Sequence, residues 1–94
     1  MSRVAQTIRE KLTREFSPLS LEVVDESARH AGHAGARPGE ETHFRVIIVS
    51  ERFAGLSRVA RQRRVYAALA DEIAAGVHAL ALTTLTAEEA ARRQ

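Results

Sequence analysis

The stretch from His43 to Ile73 constrains the fold more than any other part of the chain. It opens as a strand in which both alternating sets are apolar, Phe44, Val46 and Ile48 on one side and Ile47 and Val49 on the other. Such a strand belongs in the middle of a sheet. The chain then turns at Ala54-Gly55, passes an arginine cluster and enters a helix whose Val65, Leu69 and Ile73 recur at four-residue steps. That stripe needs an apolar partner, and the strand before it is the nearest one. Strand, basic turn and helix therefore form one unit, and the rest of the sequence supplies its neighbours.

Taken in order, Ser2 to Phe16 carries Val4, Ile8, Leu12 and Phe16 at four-residue spacing with Pro18 just beyond, the pattern of an amphipathic helix with a defined stop. From Leu19 the period changes to two: Leu19, Leu21 and Val23 alternate with Ser20 and Glu22, which predicts a strand ending at Asp25. Glu26 to Glu41 holds three glycines, a proline and two histidines with almost no apolar bulk. A connection that long, against the roughly 2 to 5 residues of an ordinary hairpin, is the first place to look for function. The central strand is expected over Thr42–Ser50, with a short helical turn at Leu56–Ala60 before the main helix. Gly76 suits a left-handed helix stop, Val77–Leu85 reads as a third strand, and Thr86 with Glu89 has capping-box spacing for a last helix over Ala87–Arg92. The order is α-β-β-α-β-α with room for one extra short helix. This predicts an α+β fold, a three-stranded mixed sheet with helices packed on one face, in a single domain spanning residues 1–94.

Composition removes several function classes. The chain has no cysteine, so thiol catalysis, disulfides and a self-contained thiolate metal site are excluded. No apolar run approaches the roughly 20 residues of a membrane span, and the first residues lack a signal-peptide apolar block, which gives the expectation of a cytoplasmic protein without membrane partners. The net charge of +2 is small. Its distribution says more: Arg52, Arg58, Arg61, Arg63 and Arg64 occur with no acidic residue between Arg52 and Ala70. Neither a nucleophile elbow nor a phosphate-binding loop is present, so the expectation is that the protein is not an enzyme.

The segments Val24–Ser27, Glu41–Phe44 running into Val49–Gly55, Arg61–Glu72 and Val77–Leu82, in order and at their spacings, resemble the BolA family. The resemblance covers nearly the whole chain and implies the type II KH-like arrangement. It also implies pairing with a monothiol glutaredoxin, whose cysteine and bound glutathione hold one side of a [2Fe-2S] cluster that is shared only in the complex. On this side the implied ligands are His78 and a loop histidine, His30 or His33. Imidazole can replace thiolate on one iron of such clusters, as in Rieske centres. The chain departs from the family at Gln62, where relatives commonly carry a histidine between two arginines.

Each of these residues also has a plainer reading: His78 as a half-buried histidine opening a strand, His30 and His33 as solvated loop polarity, and the arginines as a solvated rim. A zinc site from His30, His33 and either His43 or His78 lacks an accompanying acid to act as base. Gly32-His33-Ala34-Gly35 matches a nucleotide-clamping GxxG pattern but falls between two predicted strands, so it is read as chance. With Val65 facing the core, a helical wheel turns Arg63 and Arg64 outward and Gln62 inward. Arg58, Arg61, Arg63 and Arg64 are then candidates for a partner or DNA surface. The same family resemblance implies DNA-binding transcriptional regulation as the alternative function. In the free state the protein is expected to be a monomer or weak homodimer.

Overall fold

A computed structural model describes residues 3–26, 43–77 and 79–93. The connection from residue 27 to residue 42, with His30, His33 and the GxxG match, lies outside the described residues, as does His78.

The first helix, α1 (Arg3–Phe16), buries Ala5, Ile8, Leu12 and Phe16. Ile8, Leu12 and Phe16 are the four-residue repeat of the sequence, Val4 packs half-buried against the same core, and Ala5 is buried in the first turn. Ser17 ends the helix in the left-handed region (φ 43°), its N–H donating to the Thr13 carbonyl at 3.0 Å, and Pro18 follows. β1 (Ser20–Asp25) runs antiparallel to β2 (His43–Val49), and β2 runs parallel to β3 (Ala79–Leu85), giving the order β1-β2-β3. The registers align Leu21 with Ile48 and Val23 with Val46, then Phe44, Val46 and Ile48 with Leu80, Leu82 and Thr84. One face of the sheet therefore carries every fully buried strand side chain of the core cluster, which joins Ile8, Leu12 and Phe16 of α1 to Val65 and Leu69. Ile47 and Val49 point to the opposite face. The central position of β2 shields them between flanking strands, and the core cluster of the described residues lies on the other face. Two-faced hydrophobicity thus reports centrality in the sheet. Leu19 departs from the expected strand: it is 66% exposed and precedes β1, although its N–H donates to the Val49 carbonyl at 2.8 Å.

The chain leaves β2 through Ser50, which is fully buried. Its Oγ donates to the Phe16 carbonyl at 2.6 Å and accepts from the Arg52 N–H at 3.1 Å, capping a 3₁₀ turn over Glu51–Phe53. The expected helical turn at Leu56–Ala60 is therefore displaced toward the N-terminus. Phe53 is drawn completely into the core against Phe16 (ring centroids 5.1 Å), and the turn that delivers it must come before it. Ser50→Ala leaves a buried carbonyl unpaired, at a cost of roughly 1–3 kcal/mol. The expected result is a thermal melt lowered by about 5–15 °C, and an unchanged melt would show that the Ser50 bridge carries no stability.

Gly55 (φ 79°) turns the chain into Ser57, which caps α2 (Arg58–Ala68) by accepting the Ala60 N–H at 3.1 Å. The main helix expected from the sequence is two pieces, α2 and α3 (Ala70–Ala75), which meet at Leu69 where ψ opens to 18°. Leu69 is 1% exposed, so the break occurs where the chain is pinned to the core. Gly76 ends α3 at φ 136°, Val77 is buried beside the core, and β3 begins two residues later. Last, α4 (Ala87–Arg92) starts with the capping box foreseen for Thr86 and Glu89. Glu51 adds a second cap, its Oε2 accepting the Ala87 N–H at 2.7 Å.

Candidate functional site

The arginine cluster divides into two groups with different chemistry. Arg61 lies 6% exposed beneath the start of α2. Its Nε donates to the Leu56 carbonyl at 3.0 Å, and Nη1 donates to the Thr84 carbonyl at 3.2 Å and to Glu89 Oε1 at 2.6 Å. Nη2 completes a bidentate pair with Glu89 Oε2 at 3.2 Å, while the guanidinium carbon stands 5.9 Å from the centroid of the Phe53 ring. One side chain thus ties the basic turn, the end of β3 and α4 together around an aromatic core residue. Planar, multidentate bonding of this kind is within reach of arginine and beyond lysine.

Arg58, Arg63 and Arg64 are exposed. Gln62 is exposed as well, which corrects the wheel-based expectation that it turns inward. The inward position belongs to Arg61, one helical turn before Val65, and its charge is satisfied by Glu89 from another element. Of the four arginines expected on a partner or DNA surface, three are exposed, Arg63 and Arg64 on the side of α2 turned away from Val65 and Arg58 beside the end of β3, and Arg61 is scaffold.

The Arg61 guanidinium and the Thr86 N–H together pull the Glu89 carboxyl down to about 2 from its ordinary 4.5. A carboxylate with a lowered folded-state pKa contributes stability above its unfolded value. That contribution fades as pH falls from about 4.5 to about 2 and is gone when both states are protonated. Glu89→Gln is therefore expected to melt below the parent at neutral pH, with the gap closing as the pH approaches 2. A gap independent of pH in thermal melts would show that the ion pair is not its source.

The histidines frame a second region. His43 is half-buried at the first position of β2, and its carbonyl accepts the Glu26 N–H at 2.8 Å. In the parallel register His43 aligns with Ala79. Glu26, His43, Val77 and Ala79 therefore gather at one end of the sheet, with Arg45 paired to Glu26 beside them. These are the residues that bound the segment carrying His30 and His33 and that flank position 78. Among the described residues no three His, Asp or Glu side chains converge to hold a metal. The expected ligands His78, His30 and His33 lie outside the described residues.

The site residue that sequence reading missed is Glu89. In the sequence it reads only as half of a capping box, and its partner lies 28 positions away. The signal for Arg61 was present: its position four residues before Val65 puts it about 40° from the core direction.

The family pattern described as BolA-like protein matches residues 12–89. The chain is 48% identical over 86 residues to the DNA-binding transcriptional regulator BolA of Escherichia coli (strain K12), covering 92% of this chain and 78% of that protein. It is 46% identical over 87 residues to Protein BOLA1, chloroplastic, of Arabidopsis thaliana, covering 90% of this chain and 54% of that longer protein. In three dimensions it is similar to the BolA domain of SufE1 from Arabidopsis thaliana, with a TM-score of 0.86, 44% identity and coverage of 95% and 98% of the two chains. Among the described residues no helix is long and apolar enough to cross a membrane. A match across most of the sequence, joined to the same three-stranded mixed sheet and helices, places this chain in the BolA family.

Proposed function

We propose that this protein is a partner of a monothiol glutaredoxin and shares a [2Fe-2S] cluster with it as cargo in cluster trafficking or iron-status signalling. The observation that carries the reading is the meeting, at one end of the sheet, of the described residues bounding the His30 and His33 segment with those flanking position 78. The donor chemistry agrees. A chain without cysteine offers a cluster imidazole and leaves thiolate to its partner. In this reading His78 is the fixed ligand, because Gly76 and Val77 on one side and Ala79 in the β3 ladder on the other anchor the backbone around it. His30 or His33 is the adaptive ligand. The protein alone holds no cluster stably, does not act as an enzyme, and works in the cytoplasm as a monomer or weak homodimer. The test is a titration of [2Fe-2S]-loaded monothiol glutaredoxin with this protein, followed by visible absorption and circular dichroism. Changed cluster bands that saturate near one-to-one are expected, and bands that never change would contradict the reading.

A second reading has its own support: the Escherichia coli relative is named a DNA-binding transcriptional regulator, and Arg58, Arg63 and Arg64 of α2 are each exposed. Here the solvent face of α2 neutralises phosphates. Duplex binding then weakens steeply with salt, by about 0.9 in the logarithmic slope per phosphate contacted. Replacing Arg58, Arg63 and Arg64 together with alanine is expected to flatten that slope by roughly 2 to 3. A slope unchanged in the triple variant would remove this reading.

A further inference from the structure

The outer edge of β3 is guarded at two positions and open between them. Residues along a strand alternate the side to which N–H and C=O point, and the Leu85 carbonyl accepts the Ser50 N–H in continuation of the β2 ladder at 2.8 Å. Odd-numbered β3 residues therefore face β2, and Leu80, Leu82 and Thr84 turn their backbone groups away from it. The Leu80 carbonyl accepts from the Tyr66 hydroxyl at 3.4 Å and the Thr84 carbonyl from Arg61 at 3.2 Å. Both donors come from α2 and blunt the edge against uncontrolled strand pairing. Leu82 lies between them with both its N–H and its C=O outward.

Leu82 opens into a cleft of about 420 Å³ whose walls include Arg58, Gln62 and Arg93. Among the described residues no carboxylate lines this cleft. Glu89, in the adjoining smaller cleft, is already engaged by Arg61 and Thr86. Arg58 and Arg93 are exposed and, among the described residues, unpaired, so two like charges share one concavity without a counter-charge. Arg58 also sits in the first turn of α2, where the helix dipole disfavours a cation and where no acidic residue is present. Its position costs stability locally, and no partner among the described residues offsets that cost.

We infer that this cleft between α2, α4 and the β3 edge is a docking slot for an extended acidic peptide segment of a partner protein. One residue of the peptide exchanges backbone hydrogen bonds with Leu82, and its flanking carboxylates meet Arg58 and Arg93. The backbone favours a peptide over a phosphate chain, because Leu82 offers a donor and an acceptor side by side, which a peptide residue matches and a phosphodiester, having only acceptors, does not. The guards at Leu80 and Thr84 limit the added pairing to one residue, so the charges supply the remaining affinity and make binding sensitive to salt.

The probe is a labelled, end-blocked synthetic pentapeptide alternating glutamate and valine, added to isotopically labelled protein. Amide shifts at Leu82 and Thr84 and fluorescence anisotropy are the readouts. The expected result is saturable shifts at both amides and at least a tenfold loss of affinity in the Arg58→Glu, Arg93→Glu double variant, which keeps its fold because both side chains are exposed. A peptide N-methylated at the central residue, which cannot donate to the Leu82 carbonyl, is expected to lose binding, and a lysine-for-glutamate peptide is expected not to bind. Equal binding of the N-methylated or lysine peptide, or unchanged binding by the double variant, would overturn the slot. So would a single-stranded oligonucleotide that shifts these amides when the acidic peptide does not, since the cleft would then belong to nucleic acid.

Discussion

Replacing Arg61 with alanine is expected to lower the melting temperature by roughly 10–20 °C, the largest loss among the exchanges of the basic turn. The substitution strips charge-assisted partners from the Leu56 and Thr84 carbonyls and removes the group that orients Glu89. Losing bonds of this kind costs about 2–3 kcal/mol, and a domain of this size shifts by about 4–8 °C for each kcal/mol. Arg61→Lys should recover little, because one ammonium cannot reproduce a guanidinium that bonds two carbonyls and a carboxylate in one plane. Arg63→Ala and Arg64→Ala, on the solvent face, are expected to stay within about 0.5 kcal/mol of the parent. Thermal melts of the three alanine variants settle the division of the cluster. Equal melts would return Arg61 to the surface with the others.

That division bears on how DNA binding is tested. Arg61→Ala would weaken binding by loosening the turn even if Arg61 touched no phosphate, so the informative exchanges are at Arg58, Arg63 and Arg64.

The second large effect is expected at His78. With its alanine variant, the change that the wild-type protein produces in the cluster bands of a loaded glutaredoxin should disappear, or need more than ten times the protein. The protein has no cysteine thiolate to offer a [2Fe-2S] cluster, so each imidazole lost removes half of what two ligating histidines supply. The loop histidines are expected to behave differently. His30→Ala or His33→Ala alone should abolish the effect in one case and spare it in the other, identifying the ligand, and the double variant should match His78→Ala. Loss of the effect in neither single variant but in the double would mean that the two rings substitute for one another. A double variant with wild-type bands would remove the loop from the ligand set.

Much of the fold was legible because its signals are local. The four-residue stripe of α1, the Thr86 and Glu89 capping box, the Gly76 stop and the two-faced apolarity of β2 each lie within a few residues and report one element. Signals that depend on distant partners were not legible in the same way. Gln62 and Arg61 lie side by side on α2, and a helical wheel anchored on Val65 puts both within about 60° of the core direction, Arg61 the nearer by only about 20°. Glu89 decides it by offering a carboxylate beneath Arg61 from 28 positions further along the chain. The displaced turn has a similar cause, since Phe53 is pulled inward by a ring on α1. For the histidines, the sequence puts His30 and His33 three positions apart in one long connection, and spacing alone does not choose between them.

In the proposed function this chain supplies imidazole to a cluster held across from it by a glutaredoxin. Its most direct test is circular dichroism of the [2Fe-2S] glutaredoxin titrated in parallel with the wild-type protein and with His78→Ala, after thermal melts have shown the two to be equally folded. A change that saturates near one-to-one with the wild type and is lost with the variant is expected. The same saturating change with both proteins would contradict it.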